Sequence, residues 1–241
     1  MRTATLGLDH EVTLSQPANF NRLARVYRWL EWLSFGPTLW RCRCAYLAAM
    51  KNRRAALVIG DGDGRFTAKL LQQNPYITVE AVDASEAMLH RLTQRAGHQS
   101  DRVHARLGDA RQLPLVPGKF DFVATHFFLD CLTTGEVESL AIRVRETLMP
   151  DAVWAVSEFA TPGNWFGRLI AKPIVTALYV AFGFLTGLTI RELPEHRNAL
   201  ERAGFVLTRQ QKRMWGLLVS ELWESRPVAN SQSNSKPSKT K

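Results

Sequence analysis

The feature that most constrains the fold is a glycine-rich turn between two segments of regular pattern. An apolar run over residues 55–59 is followed by Gly-Asp-Gly-Asp-Gly at residues 60–64, and then by a helical pattern with Phe66, Leu70 and Leu71 on one side. Glycine lets the chain reverse with unusual dihedrals and keeps side chains away from a ligand. The N–H groups that begin the helix face the crevice in which open α/β sheets bind their ligands. The pattern predicts a strand, a ligand-binding turn and a helix.

The spacing of the glycines distinguishes two classes of ligand. Dinucleotide-binding turns have the pattern Gly-x-Gly-x-x-Gly, whose last glycine lets the helix pack closely on the strand. Here Arg65 stands three positions after Gly62, which argues against NAD or FAD. One such turn does not define a ligand, so the interpretation depends also on the residues beyond Leu71.

Apolar runs alternate with helical patterns after the turn, which predicts a mostly parallel sheet with right-handed crossovers. The 241 residues, with 46% apolar content, suit one α/β core. Further strands are predicted over residues 78–82, 103–107, 120–127, 152–159, 205–208 and 216–223, and helices over residues 38–51, 86–95, 134–148 and 192–203.

An acidic residue ends the second predicted strand. Asp83 lies 19 residues after Gly64, close to the offset of ~20 residues at which a carboxylate accepts hydrogen bonds from ribose hydroxyls. The alternative is that Asp83 or Ser85 caps the helix that begins at Glu86. Both roles can hold together, with Asp83 on the ligand and Ser85 as the cap.

With this order of elements, residues 54–160 resemble the cofactor-binding half of the class I S-adenosylmethionine (SAM)-dependent methyltransferases. The glycine turn matches motif I, Asp83 the ribose-binding acid, Asp109-Ala110 the adenine-binding pair, and residues 120–132 motif IV. The resemblance implies a Rossmann-like seven-stranded sheet with helices on both faces and an antiparallel last strand. It also implies SAM as the cofactor and the cofactor-binding residues Gly60, Asp61, Gly62, Asp63, Gly64, Asp83, Ala84, Asp109, Ala110 and Thr125.

One position departs from that family. An acidic residue usually stands two positions before the first glycine, where this chain has Val58. We expect Asp61 and Asp63 to supply the missing negative charge for the methionine ammonium and the sulfonium. Asp63 has an alternative role as the N-cap of the following helix.

The pattern predicts one methyltransferase domain over residues 17–225. It comprises cap helices over 17–53, the cofactor-binding half over 54–160, an apolar helical insertion over 161–192, and a C-terminal helix and strands over 193–225. Residues 1–16 are expected to be loose and residues 226–241 to be a disordered basic tail. Residues 173–190 carry no charge, but we interpret them as helices over the crevice or at a lipid interface rather than as a membrane span.

The net charge of +9 is concentrated at the two ends of the chain. Residues 1–54 carry +6, residues 226–241 carry +4 and the remainder carries −1. Such ends suit an anionic membrane surface or nucleic acid, or act as solvated arms. Three cysteines without metal-ligand spacing predict no metal site and a cytoplasmic location, free or at the membrane periphery.

The pattern from Phe20 through Tyr27 to Trp40 resembles the entrance helices of the ubiquinone/menaquinone-biosynthesis methyltransferases, although Arg28 replaces their usual aspartate. The part from Leu193-Pro194 to the turn at residues 203–205 is also similar. We therefore predict methyl transfer to an apolar or amphiphilic small molecule that is quinone-like or lipid-like. Two alternatives stay open: a nucleic-acid methyltransferase, and a SAM-binding protein with a degenerate site.

Methyl transfer is an in-line displacement, so the protein mainly aligns donor and acceptor and excludes water. A base is needed only if the acceptor begins protonated. His126 and Asp130 follow the fourth strand, where such a base would stand, and His126 has an equal alternative as a structural histidine. Tyr27 either orients an acceptor hydroxyl or packs in the core.

Overall fold

The computed structural model describes residues 37–160 and 193–226. Seven strands within these ranges form one sheet. They are β1 (Ala55–Ile59), β2 (Thr78–Asp83), β3 (Val103–Leu107), β4 (Phe120–His126), β5 (Leu148–Phe159), β6 (Phe205–Arg213) and β7 (Leu218–Ser225).

Five α-helices and four short 3-10 helices accompany the described strands. The α-helices are α1 (Thr38–Arg43), α2 (Arg65–Gln73), α3 (Glu86–Ala96), α4 (Thr134–Glu146) and α5 (His196–Arg202). The 3-10 helices are Leu47–Met50, Gly97–Arg102, Leu129–Cys131 and Met214–Gly216.

The strand order across the sheet is β3-β2-β1-β4-β5-β7-β6. The pairs from β3 to β5 are parallel, and β7 runs antiparallel to both of its neighbours. This arrangement confirms the predicted Rossmann-like sheet with an antiparallel last strand. The order reverses between β1 and β4, and open α/β sheets bind ligands at the carboxyl ends of the strands at such a point.

Strand β1 is buried on both faces, which is why its sequence is a continuous apolar run rather than an alternating one. Leu57 and Ile59 point to the cluster that includes α4 and α5, while Ala56 and Val58 point to the cluster that includes α2 and α3. A buried leucine or isoleucine stabilises a fold by roughly 2 kcal/mol. This strand therefore fixes the position of the turn at its carboxyl end.

The predicted helix over residues 38–51 is interrupted. It consists of α1 and the 3-10 helix Leu47–Met50, joined by a turn. The Cys42 carbonyl accepts hydrogen bonds from the hydroxyls of Ser157 and Ser220, both at 3.1 Å, and from the Ala45 N–H three residues on. Two tertiary bonds and one local turn bond therefore take the place of the continued α-helical ladder.

Strand β6 extends five residues beyond its predicted end at Thr208. Residues 209–213 are Arg-Gln-Gln-Lys-Arg, a polar stretch on a strand that pairs with β7 and forms the edge of the sheet among the described strands. Edge strands commonly carry such charged residues because one of their sides faces solvent. The apolar pattern stops at the place where the strand leaves the core, although the pairing continues.

Some of the predicted features lie outside the described ranges. These are the loose segment 1–16, Tyr27 and its helix, the apolar segment 161–192 and the basic tail beyond residue 226. Among the residues that are described, none of the helices has the length and apolar character needed to cross a bilayer.

Candidate active site

The turn over residues 60–64 joins β1 to α2, and its glycines meet different surroundings. A Cβ on Gly60 would lie 2.4 Å from Cδ2 of Phe128, and one on Gly64, whose φ is +78°, would lie 2.6 Å from Cα of Leu92. A Cβ on Gly62 would meet no atom of the described residues within 4 Å. The turn is therefore packed against the protein at both ends and open at its centre.

Asp61 forms hydrogen bonds to the helix that follows the turn. Its carboxylate accepts the N–H groups of Phe66 at 3.4 Å and Thr67 at 2.8 Å, and the residue is 6% exposed. Burial raises the pKa of Asp61, and the Thr67 N–H partly opposes that shift. The carboxylate satisfies orphan donors at the start of α2, where the helix dipole also favours a negative group.

Asp63 lies towards α3. Its carboxylate forms an ion pair with Arg95 at 2.8 Å and with Arg65 at 3.3 Å, while the N-cap of α2 is Gly64 without a side-chain cap. Asp63 therefore connects the turn to the end of α3, and the alternative N-cap role is not what the structure shows.

Asp83 ends β2 beside the open centre of the turn. Its carboxylate accepts the Ser85 N–H at 2.9 Å, and the N–H groups of Gly62 and Ala84 lie near it. Burial raises the pKa of Asp83 to about 6, although these N–H groups favour the charged form. Ser85 caps α3 through the Met88 N–H at 3.4 Å, so the predicted division of roles between Asp83 and Ser85 is compatible with the geometry.

Asp109 and Ala110 follow β3 and are held by arginines. Arg111 binds Asp109 at 2.6 Å and Glu136 at 2.8 Å, and Arg143 donates to the Ala110 carbonyl at 2.9 Å. Burial alone would raise the pKa of Asp109, but the hydrogen bonds from Arg111 outweigh it and hold the pKa below its usual value. This loop is fixed at the end of the sheet beside β2.

Thr125 and His126 end β4, and both are buried. The Thr125 hydroxyl accepts the Trp154 indole N–H at 3.0 Å. His126 Nδ1 lies 3.0 Å from the Ser157 hydroxyl, which donates its own proton to the Cys42 carbonyl. Nδ1 is therefore the protonated nitrogen of the neutral imidazole.

The surroundings of His126 favour its structural interpretation. Burial, with a smaller contribution from the charge of Arg43, lowers the pKa of His126 to about 3. The ring packs edge-on against Phe66 with the centroids 4.4 Å apart. An imidazole with so low a pKa is a weak base at neutral pH.

The turn after β4 brings Asp130 next to Glu158, a residue that the motif analysis missed. Glu158 is 1% exposed and lies near the end of β5, where its Oε1 accepts the N–H groups of Leu129 at 2.9 Å and Phe128 at 3.2 Å. Burial, and then the charge of Asp130, raise the pKa of Glu158 well above its ordinary value. Like Asp83, it is a charged residue at the end of an apolar strand, but it lacks the spacing to the glycine turn that identifies Asp83.

Cys131 adjoins the same carboxyl groups. Its Sγ lies 3.5 Å from Asp130 Oδ1. Burial raises the pKa of the Cys131 thiol, and the charges of Asp130, Glu158 and Asp83 raise it further. Cys131 is therefore a neutral thiol among carboxyls from the ends of β2, β4 and β5.

Residues 56–151 match the profile of a family described as methyltransferase domain. The match runs from β1 into the start of β5 and covers less than half of the chain. The fold and this match together support a class I methyltransferase domain over that region.

Among known proteins, an uncharacterized methyltransferase of Synechocystis sp. is 28% identical to this chain over 151 residues. The alignment covers 62% of this chain and 65% of the relative, slightly less than two thirds of that protein's length.

Solved methyltransferase structures share the fold at lower identity. Mitomycin 7-O-methyltransferase is 16% identical with a TM-score of 0.63, and the alignment covers 86% of this chain and 60% of that one. The 1,6-didemethyltoxoflavin-N1-methyltransferase of Burkholderia thailandensis, solved with 1,6-didemethyltoxoflavin and S-adenosylhomocysteine, is 22% identical with a TM-score of 0.60 and coverages of 85% and 84%. At these identities the similarity concerns the fold.

Proposed function

We propose that this protein is a SAM-dependent methyltransferase acting on a small molecule. The observation that carries the proposal is the position of Asp83, a carboxylate at the carboxyl end of β2 that lies near the Gly62 N–H of the glycine turn. A carboxylate at this point can accept hydrogen bonds from both hydroxyls of a ribose. The matched methyltransferase domain supports the same reaction class.

The residues present fit SAM. Since a Cβ on Gly62 would meet no atom within 4 Å in residues 37–160 and 193–226, the backbone of the turn is open beside Asp83 in that part of the chain. SAM supplies the transferable methyl group when it is bound. In the proposal the turn over residues 60–64 receives the methionine part, Asp83 and Ala84 the ribose, and Asp109 and Ala110 the adenine. Thr125 supports this surface from the core through its bond to Trp154.

We infer that the acceptor is an apolar or amphiphilic molecule, quinone-like or lipid-like. The support is the uncharged stretch over residues 173–190 and the resemblance of the N-terminal pattern around Tyr27 to quinone methyltransferases. The toxoflavin and mitomycin enzymes named above act on small molecules, which agrees with an acceptor of that size. Of the two predicted bases, Asp130 is the better candidate, because burial lowers the pKa of His126 to about 3.

Transfer of a labelled methyl group tests the proposed activity. The purified protein, labelled SAM and a lipid or quinone extract should yield a labelled product, and Asp83→Ala should abolish the transfer. Asp101→Ala, which removes an exposed carboxylate on the 3-10 helix Gly97–Arg102, is the matched control and should retain it. Absence of label in every extract would contradict the proposal.

A SAM-binding protein without catalysis is the second candidate. It is favoured by Val58, and by the engagement of Asp61 with α2 and of Asp63 with Arg95. Ordinary SAM affinity without turnover on any acceptor would support this candidate over the enzyme.

A further inference from the structure

The methionine part of SAM carries an ammonium and a sulfonium, and its binding site needs nearby negative charge. Val58 stands where the resembling family has an acid, and it is 1% exposed within the core. Asp61 accepts two N–H groups of α2, and Asp63 is paired with two arginines. Both carboxylates are therefore engaged within the protein, and a carboxyl that is free to face a cation at this end of the crevice has to come from another residue.

The turn after β4 places a carboxyl group close to the glycine turn. Phe128 lies against Gly60, as the 2.4 Å approach of a hypothetical Cβ shows. The N–H of the same Phe128 donates to Glu158 Oε1 at 3.2 Å, and the Leu129 N–H donates at 2.9 Å. One residue therefore spans the distance between the glycine turn and the Glu158 carboxyl.

The second oxygen of Glu158 indicates that a ligand group is missing. Oε2 is buried and has no hydrogen-bond partner within residues 37–160 and 193–226. Buried polar atoms in native proteins nearly always have a partner, because an unpaired one carries its full desolvation cost. A cationic ligand group that enters the crevice would satisfy this atom.

Asp130 strengthens the negative potential at this place. It is 8% exposed, and its charge raises the pKa of Glu158. A cation that approaches Glu158 favours its charged form, because an opposite charge nearby lowers the pKa of a carboxyl. Cys131 beside them stays a neutral thiol and adds no charge.

We propose that Glu158, supported by Asp130, supplies the negative charge that holds the sulfonium end of SAM, in place of the acid that Val58 replaces. The assignment rests on the proposed function. It implies that Glu158 distinguishes SAM from S-adenosylhomocysteine, because the product has a neutral thioether in place of the sulfonium.

Calorimetric titration of the full chain with SAM and with S-adenosylhomocysteine tests the assignment. For Glu158→Gln we expect SAM affinity to fall about tenfold, as loss of one nearby charge in a partly screened site implies, while S-adenosylhomocysteine affinity stays within about twofold. The glutamine carbonyl can still accept the Phe128 and Leu129 N–H groups, so the turn keeps its bonds. Asp130→Asn should lower SAM affinity in the same selective way.

Glu224→Gln is the matched control. Glu224 is exposed and pairs with Val153, five residues along β5 from Glu158, so neither affinity should change. An equal loss of both affinities in Glu158→Gln would overturn the sulfonium assignment, because the ammonium is common to both ligands. Unchanged affinities in both Glu158→Gln and Asp130→Asn would overturn it as well. Failure of the wild-type protein to bind either ligand would instead overturn the proposed function on which the assignment depends.

Discussion

Asp83, the proposed ribose-binding residue, is a weaker acid than an ordinary aspartate. Its pKa is raised by burial to about 6, whereas an aspartate in an unfolded chain titrates at about 3.9. Between these values the folded protein binds the proton more tightly than the unfolded chain does. The stability that Asp83 contributes is thus present below about pH 4 and is lost as the pH rises through about 6.

We therefore expect Asp83→Asn to gain stability relative to the wild-type protein as the pH rises from about 4 to about 7, by on the order of 2 kcal/mol. Asparagine keeps an acceptor for the Ser85 N–H and removes the titration. Urea unfolding of both proteins across this range measures the difference, with Asp101→Asn as an exposed control. If the free energies of unfolding of Asp83→Asn and the wild-type protein changed in parallel with pH, burial of the Asp83 carboxyl would be contradicted.

His126 titrates in the opposite sense. Burial and the charge of Arg43 lower its pKa to about 3, so the stability of the neutral imidazole is present above about pH 6.5 and is lost as the pH falls towards about 3. His126→Phe should make the protein less sensitive to acid, because phenylalanine suits the site beside Phe66. Unfolding in urea at about pH 7 and about pH 4.5 checks this, with His98→Phe at an exposed site for comparison. Unchanged acid sensitivity with loss of methyl transfer would instead indicate a catalytic base.

At the scale of structural elements, the glycine turn requires glycine at two positions for different reasons. Gly64→Ala should destabilise the protein by about 2–4 kcal/mol, because its methyl group would overlap the backbone of Leu92 at a positive φ. Gly62→Ala should cost about 1 kcal/mol in stability, since its Cβ meets open space and only the left-handed backbone is strained.

Thermal unfolding and SAM titration of the two variants distinguish a requirement of the fold at Gly64 from a requirement of ligand binding at Gly62. Gly62→Ala is expected to weaken SAM binding more than it weakens the fold, because its methyl group would fill the open space beside Asp83. Equal destabilisation by both substitutions, with SAM affinity unaffected in Gly62→Ala, would show that the open centre of the turn is not a binding surface.

The elements differ in how far their sequences reveal them. Strand β1 and its turn are predictable because burial on both faces leaves an unbroken apolar run next to obligatory glycines. Strand β6 is only half predictable, because its polar half lies at a solvent-facing edge and its pairing depends on β7. The helix over residues 38–51 is shorter than its pattern predicts, because Ser157 and Ser220 bind a carbonyl of the ladder.

The residues of the candidate site likewise differ in whether the sequence alone identifies them. Asp83 could be identified from its spacing to the turn, since both lie within one strand-helix-strand unit. Glu158 could not be identified in this way, because its proposed role depends on a contact between the turn after β4 and the end of β5, which are distant in the sequence. Nor does sequence spacing reveal that Asp63 pairs with Arg95 rather than facing the ligand.

At the scale of the whole molecule, the buried carboxylate of Glu221 connects α5, β6 and β7 through hydrogen bonds. It is 0% exposed on β7 and accepts hydrogen bonds from His196 at 3.2 Å and Arg197 at 2.6 Å on α5, and from Gln210 at 3.1 Å on β6. Burial would raise the pKa of Glu221, but the bonds from His196 and Arg197 hold it below its usual value. The stability it contributes is therefore lost as the pH falls below the ordinary range of a glutamate, about 4.3.

Glu221→Ala should destabilise the protein by about 1–3 kcal/mol, because it leaves the buried His196 ring and the partly exposed Arg197 and Gln210 without their common acceptor. Glu224→Ala, three residues along the same strand at an exposed position, should change stability by less than about 0.5 kcal/mol. Urea unfolding at neutral pH measures both. Similar effects of the two substitutions would contradict the role of Glu221 in joining these elements.

Calorimetric titration of the purified protein with SAM, beside the Asp83→Ala variant and the Asp101→Ala control, is the most direct test of the proposed cofactor site. We expect micromolar binding by the wild-type protein and the control, and a loss of affinity of about tenfold or more in Asp83→Ala, the magnitude of a charge-assisted hydrogen bond. Failure of the wild-type protein to bind SAM, or equal affinity in all three proteins, would contradict the assignment of this crevice as a SAM site.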